Sequence, residues 1–341
     1  MRSLIDFSIP DDKPICDLMM EQVGLASVTV ADELNIFQYI GPTSKSLTAI
    51  ASEIKSDSRS TEVLLRALAA MGFMNFKEDQ YSLSEIASSY LKRGSAVCRI
   101  FQFYSNRDTW AHKRILNMIK NGCDPLVQGD ASYTAMWENG SLTKEAANHF
   151  TAMMNTNISA VAISIAKSNI FEEFSSVVDV GGASGIFLAA MKQRYPNKKL
   201  TLFELPLVCE SAKEILKHYI PQDEIEYFPG SFFENRWPPE NQAYFLSNIL
   251  HDWPRPKGLE ILKNARKSLA KDGSIFINEA LLSSNRLAPK HTVMYDLMMH
   301  MNHGSQQYSE VEIYELIVEA GFKNPRRVFE FGYYTTIRAE A

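Results

Sequence analysis

Val177-Val178-Asp179-Val180-Gly181-Gly182-Ala183-Ser184-Gly185 joins an apolar, β-branched run to a glycine-rich turn, and the helix expected beyond it carries Ile186, Leu188, Ala189 and Met191. Glycines at such a turn let the backbone approach a ligand closely, with helix N-terminal amides aimed at a negative group. The nicotinamide fingerprint needs a further glycine three residues beyond its second. Counted from Gly181, Ala183 and Ile186 occupy the second and third glycine places, so NAD fits badly. Leu202-Phe203-Glu204-Leu205 then puts a carboxylate at the end of the next strand, 23 residues after Gly181. A ribose diol sits there at the switch point of a doubly wound sheet.

Outward from this turn, short β-branched or aromatic runs alternate with helix-length amphipathic segments. The alternation predicts βαβ units and a parallel sheet, with strands at 176–180, 200–205, 225–229, 243–249 and 274–280. Two alternating runs, Arg327–Phe331 and Tyr333–Ala339, flank Gly332 and predict a terminal hairpin on the edge of that sheet. Before residue 170 the periodicity is mainly helical. Leu47–Ile54 reads as a short helix, Ser58–Thr61 as a capped turn, and Glu62–Met71 as a second helix ended by Gly72. Phe73–Phe76 and Tyr81–Leu83 around a polar turn suggest a two-stranded wing, and a long helix over 142–168 links the halves.

A winged-helix pattern raises DNA binding, which charge argues against. Residues 1–100 hold ten Lys/Arg and thirteen Asp/Glu, a net of −3, where a DNA reader shows a basic stripe. The whole chain of 341 residues carries −5, which offers no general attraction to nucleic acid or anionic lipid. Its 45% hydrophobic and 22% charged residues are ordinary for about two globular domains. No run approaches the roughly 18–20 apolar residues of a membrane span, and Met1–Asp6 lacks the apolar core of a secretory signal. Cys16, Cys98, Cys123 and Cys209 show no paired spacing, which suits a reducing compartment. The expectation is a cytoplasmic protein without nucleic-acid or membrane partners.

Tyr244–Leu250 is an apolar run followed at its carboxyl end by His251-Asp252-Trp253-Pro254. An imidazole there faces the ligand crevice of an open α/β sheet, and its ordinary pKa near 6.5 suits a general base. The next strand ends in Glu279, which can hold the other ring nitrogen. The pair supplies a base and an orienting carboxylate without a nucleophile. His300-x-x-His303 could contribute two zinc ligands, but no third stands near, so no metal is expected.

These motifs together resemble the plant caffeate and bacterial small-molecule O-methyltransferases, which use S-adenosylmethionine. The resemblance spans nearly the whole chain. It is carried by Val178–Gly185, Phe203-Glu204-Leu205-Pro206, Pro229-Gly230-Ser231-Phe232-Phe233 and Asn248-Ile249-Leu250-His251-Asp252-Trp253. It implies a class I methyltransferase, Rossmann-like α/β fold: a mostly parallel sheet with a terminal antiparallel hairpin, preceded by a mainly helical winged-helix-like domain. It further implies a dimerisation domain over 1–110, a helical linker contributing to the substrate pocket over 111–170, a catalytic domain over 171–341, and a homodimer.

By position, the resemblance places Gly181 beside the methionine part of the cofactor and Glu204 on the ribose hydroxyls. Ser231 and Phe232 border the adenine, and Ser247 stands where the family often has Lys. Asp179, Gly182, Gly185, Leu205 and Trp253 belong to the same cofactor-binding motifs. His251 matches the catalytic base and Glu279 one of two acids flanking it. Met154, Met298 and Asn302 match positions lining the substrate pocket. Three departures stand out: Ala183 for a usual glycine, Ser231 for a usual Asp, and Gln307 for the second acid near the histidine. A neutral amide can hydrogen-bond an imidazole but stabilises the imidazolium less than a carboxylate does.

The implied reaction is methyl transfer to a hydroxyl of a small aromatic metabolite. A phenol has a pKa near 10 and is mostly protonated at neutral pH, so His251 accepts its proton. Phe150, Met153 and Met154, with Met294, Tyr295, Leu297, Met298, Met299 and Met301, form an apolar set suited to a flat ligand, and the inserted segment 283–308 is expected to roof the pocket. Two rival readings are a relative that binds S-adenosylmethionine but catalyses a cyclisation or hydroxylation, and a non-enzymatic winged-helix regulator.

Overall fold

The computed structural model describes residues 1–341 except 7, 124–135, 138–139 and 235, and only the backbone of 222 and 303. Its helices are α1 (Lys13–Glu33), α2 (Ile36–Ile40), α3 (Leu47–Ile54), α4 (Ser58–Ala70), α5 (Glu85–Tyr90) and α6 (Trp110–Asn121). They continue as α7 (Lys144–Lys167), α8 (Ile186–Arg194), α9 (Pro206–Leu216), α10 (Arg255–Ser268), α11 (Lys290–His303) and α12 (Glu310–Glu319). The first strands are β1 (Ser44–Ser46), β2 (Met74–Lys77), β3 (Gln80–Leu83), β4 (Ser176–Val180) and β5 (Lys199–Glu204). The others are β6 (Glu226–Pro229), β7 (Asn241–Ser247), β8 (Leu269–Ala280), β9 (Lys323–Phe331) and β10 (Tyr334–Glu340).

Helix starts follow from side-chain chemistry. Ser46, Asp57, Ser84, Thr109 and Thr143 each accept the amide three residues on and cap α3 to α7 in turn. Because Asp57 is the cap, α4 begins at Ser58, and the expected turn over Ser58–Thr61 is its first helical turn.

Two compact units result. One comprises Lys13–Ser132 and Leu282–Ser309. The wing is present as β2 and β3, and β1 adds a third antiparallel strand beside β3 that the sequence pattern does not announce. The core of this unit takes Leu64, Leu65 and Leu68 from α4, Ile115, Met118 and Ile119 from α6, and Met294, Leu297 and Met301 from α11. Backbone approach is close: a Cβ on Gly24 of α1 would stand 3.0 Å from Met294 Cε. The packing therefore cuts the chain differently from a linear division at 110 and 170. The apolar stripe of α11 has to be buried, and α1 and α4 supply the partner surface.

The second unit comprises Met1–Asp12, Tyr133–Leu281 and Glu310–Ala341. Its seven-stranded sheet has the order β6-β5-β4-β7-β8-β10-β9. The first five are parallel, while β10 runs antiparallel to both β8 and β9. It is the α/β sheet with a terminal hairpin that the strand pattern and the tail predict. Strand order reverses direction between β4 and β7, so the crevice opens beyond their carboxyl ends. On one face Phe171 packs 4.3 Å from Phe276 and Phe187 4.4 Å from Phe245, centroid to centroid. β7 stops at Ser247, two residues before the expected end, because Asn248 turns to φ +55° and a short 3-10 turn follows over Leu250–Asp252.

Leu297 is fully buried in the α1/α4/α6 core. Leu297→Ala is expected to cost about 3 kcal/mol through lost burial and the cavity left behind, read as a lower urea midpoint.

Candidate active site

The glycine turn is built by contacts that exclude side chains. Gly181, at φ +66°, donates its amide to Phe203 O at 2.8 Å, and a Cβ there would lie 2.5 Å from Ile249 Cδ1. The turn after β4 and the loop after β7 therefore meet at a position open only to glycine. A Cβ on Gly182 would lie 2.2 Å from Asp179 Oδ2 and 2.7 Å from Leu202 Cδ1. Gly185, at φ +69°, opens α8, and Ala183 holds φ +45°, a costly value for a residue with a Cβ.

Two carboxyls are buried around this turn. Glu204 ends β5 and accepts the amides of Leu205 at 2.7 Å and Ala183 at 3.3 Å, together with the Trp137 indole. Burial outweighs these donors and pushes its pKa up to about 7. Asp179 is pushed to about 8, first by burial and then by the charge of Glu204. Glu204, Leu205, Ser231, Phe232 and Phe233 line one narrow crevice with Trp137. Trp253 stands edge-on to Phe232 and Phe233, at 5.9 and 4.7 Å. Sequence reasoning missed Trp137, which lies in no motif; its ring is 4.4 Å from Phe150. Ser231 Oγ accepts the Phe233 amide, a local turn contact.

His251 lies on the 3-10 turn beyond β7 and is 3% exposed. Its Nδ1 is 3.6 Å from Glu279 Oε2. The other oxygen of Glu279 accepts the amides of Ile249 at 3.1 Å and Leu250 at 2.9 Å, so the carboxylate pins the loop by hydrogen bonds and faces the ring as a nearby charge. Burial pushes the Glu279 carboxyl up, and the neighbouring His251 pulls it back. Asp252 Oδ1 stands 3.5 Å from Nε2, so a carboxylate faces each ring nitrogen. Burial pushes Asp252 upward. Its adjacency to His251 in the chain was the available signal.

Ser247, the last residue of β7, is half-buried. Met154, on α7, packs against the sheet-side core of the same unit. Gln307, Met298 and Asn302 fall in the other unit. Gln307 is fully buried, its backbone amide donating to Asp296 Oδ1 at 2.8 Å and its backbone carbonyl accepting from Arg286 at 2.9 Å. Asn302 accepts from Arg114 Nε at 3.3 Å, and Met298 lies against the core that holds α11. His300 Nε2 contacts Ser60 Oγ at 3.3 Å, and the side chain of His303 lies outside the described residues.

Residues 118–323 match the O-methyltransferase domain, and residues 22–93 the O-methyltransferase dimerisation domain. Acetylserotonin O-methyltransferase of Gallus gallus is 27% identical over 304 residues, 86% of this chain and 87% of the relative. Two solved structures share the fold at 21% identity each. An O-methyltransferase family 2 protein from Planctomyces limnophilus, in complex with apigenin, has a TM-score of 0.83 over 100% of this chain and 99% of its own. Human N-acetylserotonin methyltransferase, in complex with SAM, has a TM-score of 0.60 over 96% of each chain.

Asp179 has a folded pKa of about 8 against an ordinary 3.8, so folding favours its protonated form. Its ionisation penalty is absent below about pH 4, grows as pH rises, and is complete above about 8. Thermal unfolding across this range is expected to show stability falling with pH, and Asp179→Asn is expected to flatten that fall by roughly 5 °C.

Proposed function

The chain belongs to the O-methyltransferase family, and from that premise we propose that it transfers a methyl group from S-adenosylmethionine to a hydroxyl of a small phenolic metabolite, with His251 as general base. The observation that carries this reading is the placement of His251. Its ring stands against Glu279, on the loop whose Ile249 touches the glycine turn at Gly181.

The residues around the turn fit the cofactor. Glu204 already collects N–H donors where ribose hydroxyls would donate, and Trp137, Phe232 and Phe233 line the adjoining crevice with flat rings of the kind a purine stacks on. Gly181 and Gly182 keep that approach clear of side chains. When bound, the cofactor supplies a methyl group on a cationic sulfur. His251 takes the acceptor's proton at Nε2. Glu279 at Nδ1 and Asp252 beside Nε2 both favour the imidazolium that forms. Positioning of the acceptor supplies much of the remaining acceleration. The apigenin complex of the Planctomyces relative supports an aromatic acceptor, as do Phe150 and Met154 on α7.

A homodimer through the N-terminal unit belongs to the same proposal. Ile15, Leu18 and Leu25 form a stripe on α1 at helical spacing, and Ile15 and Leu18 are 63% and 69% exposed. Phe101 and Trp110 are exposed on the same unit. Water-facing apolar groups in such number mark an association surface.

Mass spectrometry with labelled methyl donor and a panel of hydroxylated aromatics tests the activity. Methylated product and S-adenosylhomocysteine are expected in equal amounts, which a cyclisation or hydroxylation would not give. His251→Ala is expected to lower kcat by about 10²–10⁴ while S-adenosylhomocysteine affinity stays within about threefold; near-normal turnover would remove the base. Leu18→Glu is expected to shift the protein from dimer to monomer in light scattering, and an unchanged mass would discount α1 as the interface.

A further inference from the structure

Three polar side chains cross the sheet in register at its crevice end. Ser247 of β7 pairs with Asn278 of β8, and Asn278 with Thr336 of β10. Thr336 Oγ1 donates to Asn278 Oδ1 at 3.0 Å, and Asn278 Nδ2 donates to Ser247 Oγ at 2.9 Å. Asn278 and Thr336 are both fully buried, and Phe276 precedes Asn278 on the same face of β8. Apolar side chains would fill these places without any hydrogen bond to satisfy, so the pair has a use beyond packing. Only Ser247, among the three, reaches partial exposure. Its oxygen accepts from Asn278, which leaves its own hydrogen available to donate to a further acceptor at the strand end.

The sheet order sets what that donor meets. Ser247 ends β7, two strands from Glu204 at the end of β5, with the Gly181 turn between them. Two strand spacings amount to roughly 10 Å. With the ribose on Glu204, the amino-acid end of the cofactor falls toward β7. The adjoining residue points to the same ligand group. Asn248 is 5% exposed, holds φ +55°, and neither its side-chain oxygen nor its nitrogen is hydrogen-bonded. Leaving both unmet is expensive, and an amino acid's ammonium and carboxylate offer the donor and acceptor that such an amide lacks.

Resting on the cofactor reading above, we infer that Asn278 and Thr336 are positioning residues that hold the Ser247 hydroxyl as a donor to the carboxylate of the cofactor's amino-acid end. Calorimetry with two probes tests this: S-adenosylhomocysteine, and 5′-methylthioadenosine, which lacks the amino-acid end. Ser247→Ala is expected to weaken S-adenosylhomocysteine binding about tenfold, and Asn278→Leu by a similar factor. The double variant should bind no more weakly than Ser247→Ala alone, and methylthioadenosine should bind all forms alike. Thr336→Val keeps the side-chain shape and should give the same selective loss, about threefold; it decides the matter should Asn278→Leu fold poorly. Additive losses, or equal losses for both probes, would mark a structural role and overturn the inference. Undiminished S-adenosylhomocysteine affinity in Ser247→Ala overturns the relay alone. A wild-type protein that binds neither probe overturns the cofactor reading and the relay with it.

Discussion

The carboxylate of Glu279 organises the crevice. One oxygen accepts two consecutive amides of the loop beyond β7, and the other stands beside the imidazole on that loop. A chain leaving a strand end into a tight turn has amides without sheet partners, and burial makes them costly to leave unmet. Glu279 meets that need from the neighbouring parallel strand. The position of His251 is thus a consequence of β7–β8 register. Shifting either strand by one residue would turn Glu279 to the other face of the sheet.

A second constraint is the close approach of the two loops. Gly181 faces Ile249 and Gly182 faces Asp179 at distances where no Cβ fits. These contacts place the Glu204 carboxyl, the glycine turn and the histidine loop along adjoining strand ends. The buried acids lower stability as they ionise, since burial raises both Asp179 and Glu204. Carboxyls retained at such a cost are typical of sites where a ligand supplies their partners.

The N-terminal unit shows how an apolar helix stripe overrides chain order. Met294, Leu297 and Met301 close a core begun more than two hundred residues earlier, alongside Leu64 and Ile115. Helical periodicity shows that such a stripe must be buried and leaves its partner open. The winged-helix shape invited a nucleic-acid reading, which the acidic balance of its residues opposes.

Patterns that live within a few residues were legible in the chain: the strand into glycines at 176–185, the acid ending β5, the histidine beyond β7 and the alternating hairpin of the tail. Backbone periodicity and turn chemistry dictate them locally, and each lies in the structure close to where the pattern puts it. Other features depend on residues far apart in the chain. Thr336 meets Asn278 across 58 positions, Trp137 meets Glu204 from a segment without a motif, and β1 joins the wing through only three residues. Strand order and register decide those meetings, because a sheet brings together side chains whose separation along the chain carries no periodic trace. Spacing was enough to specify the strands of the main sheet and the chemical groups at the ends of β5, β7 and β8; folding in three dimensions determined which of those groups face one another.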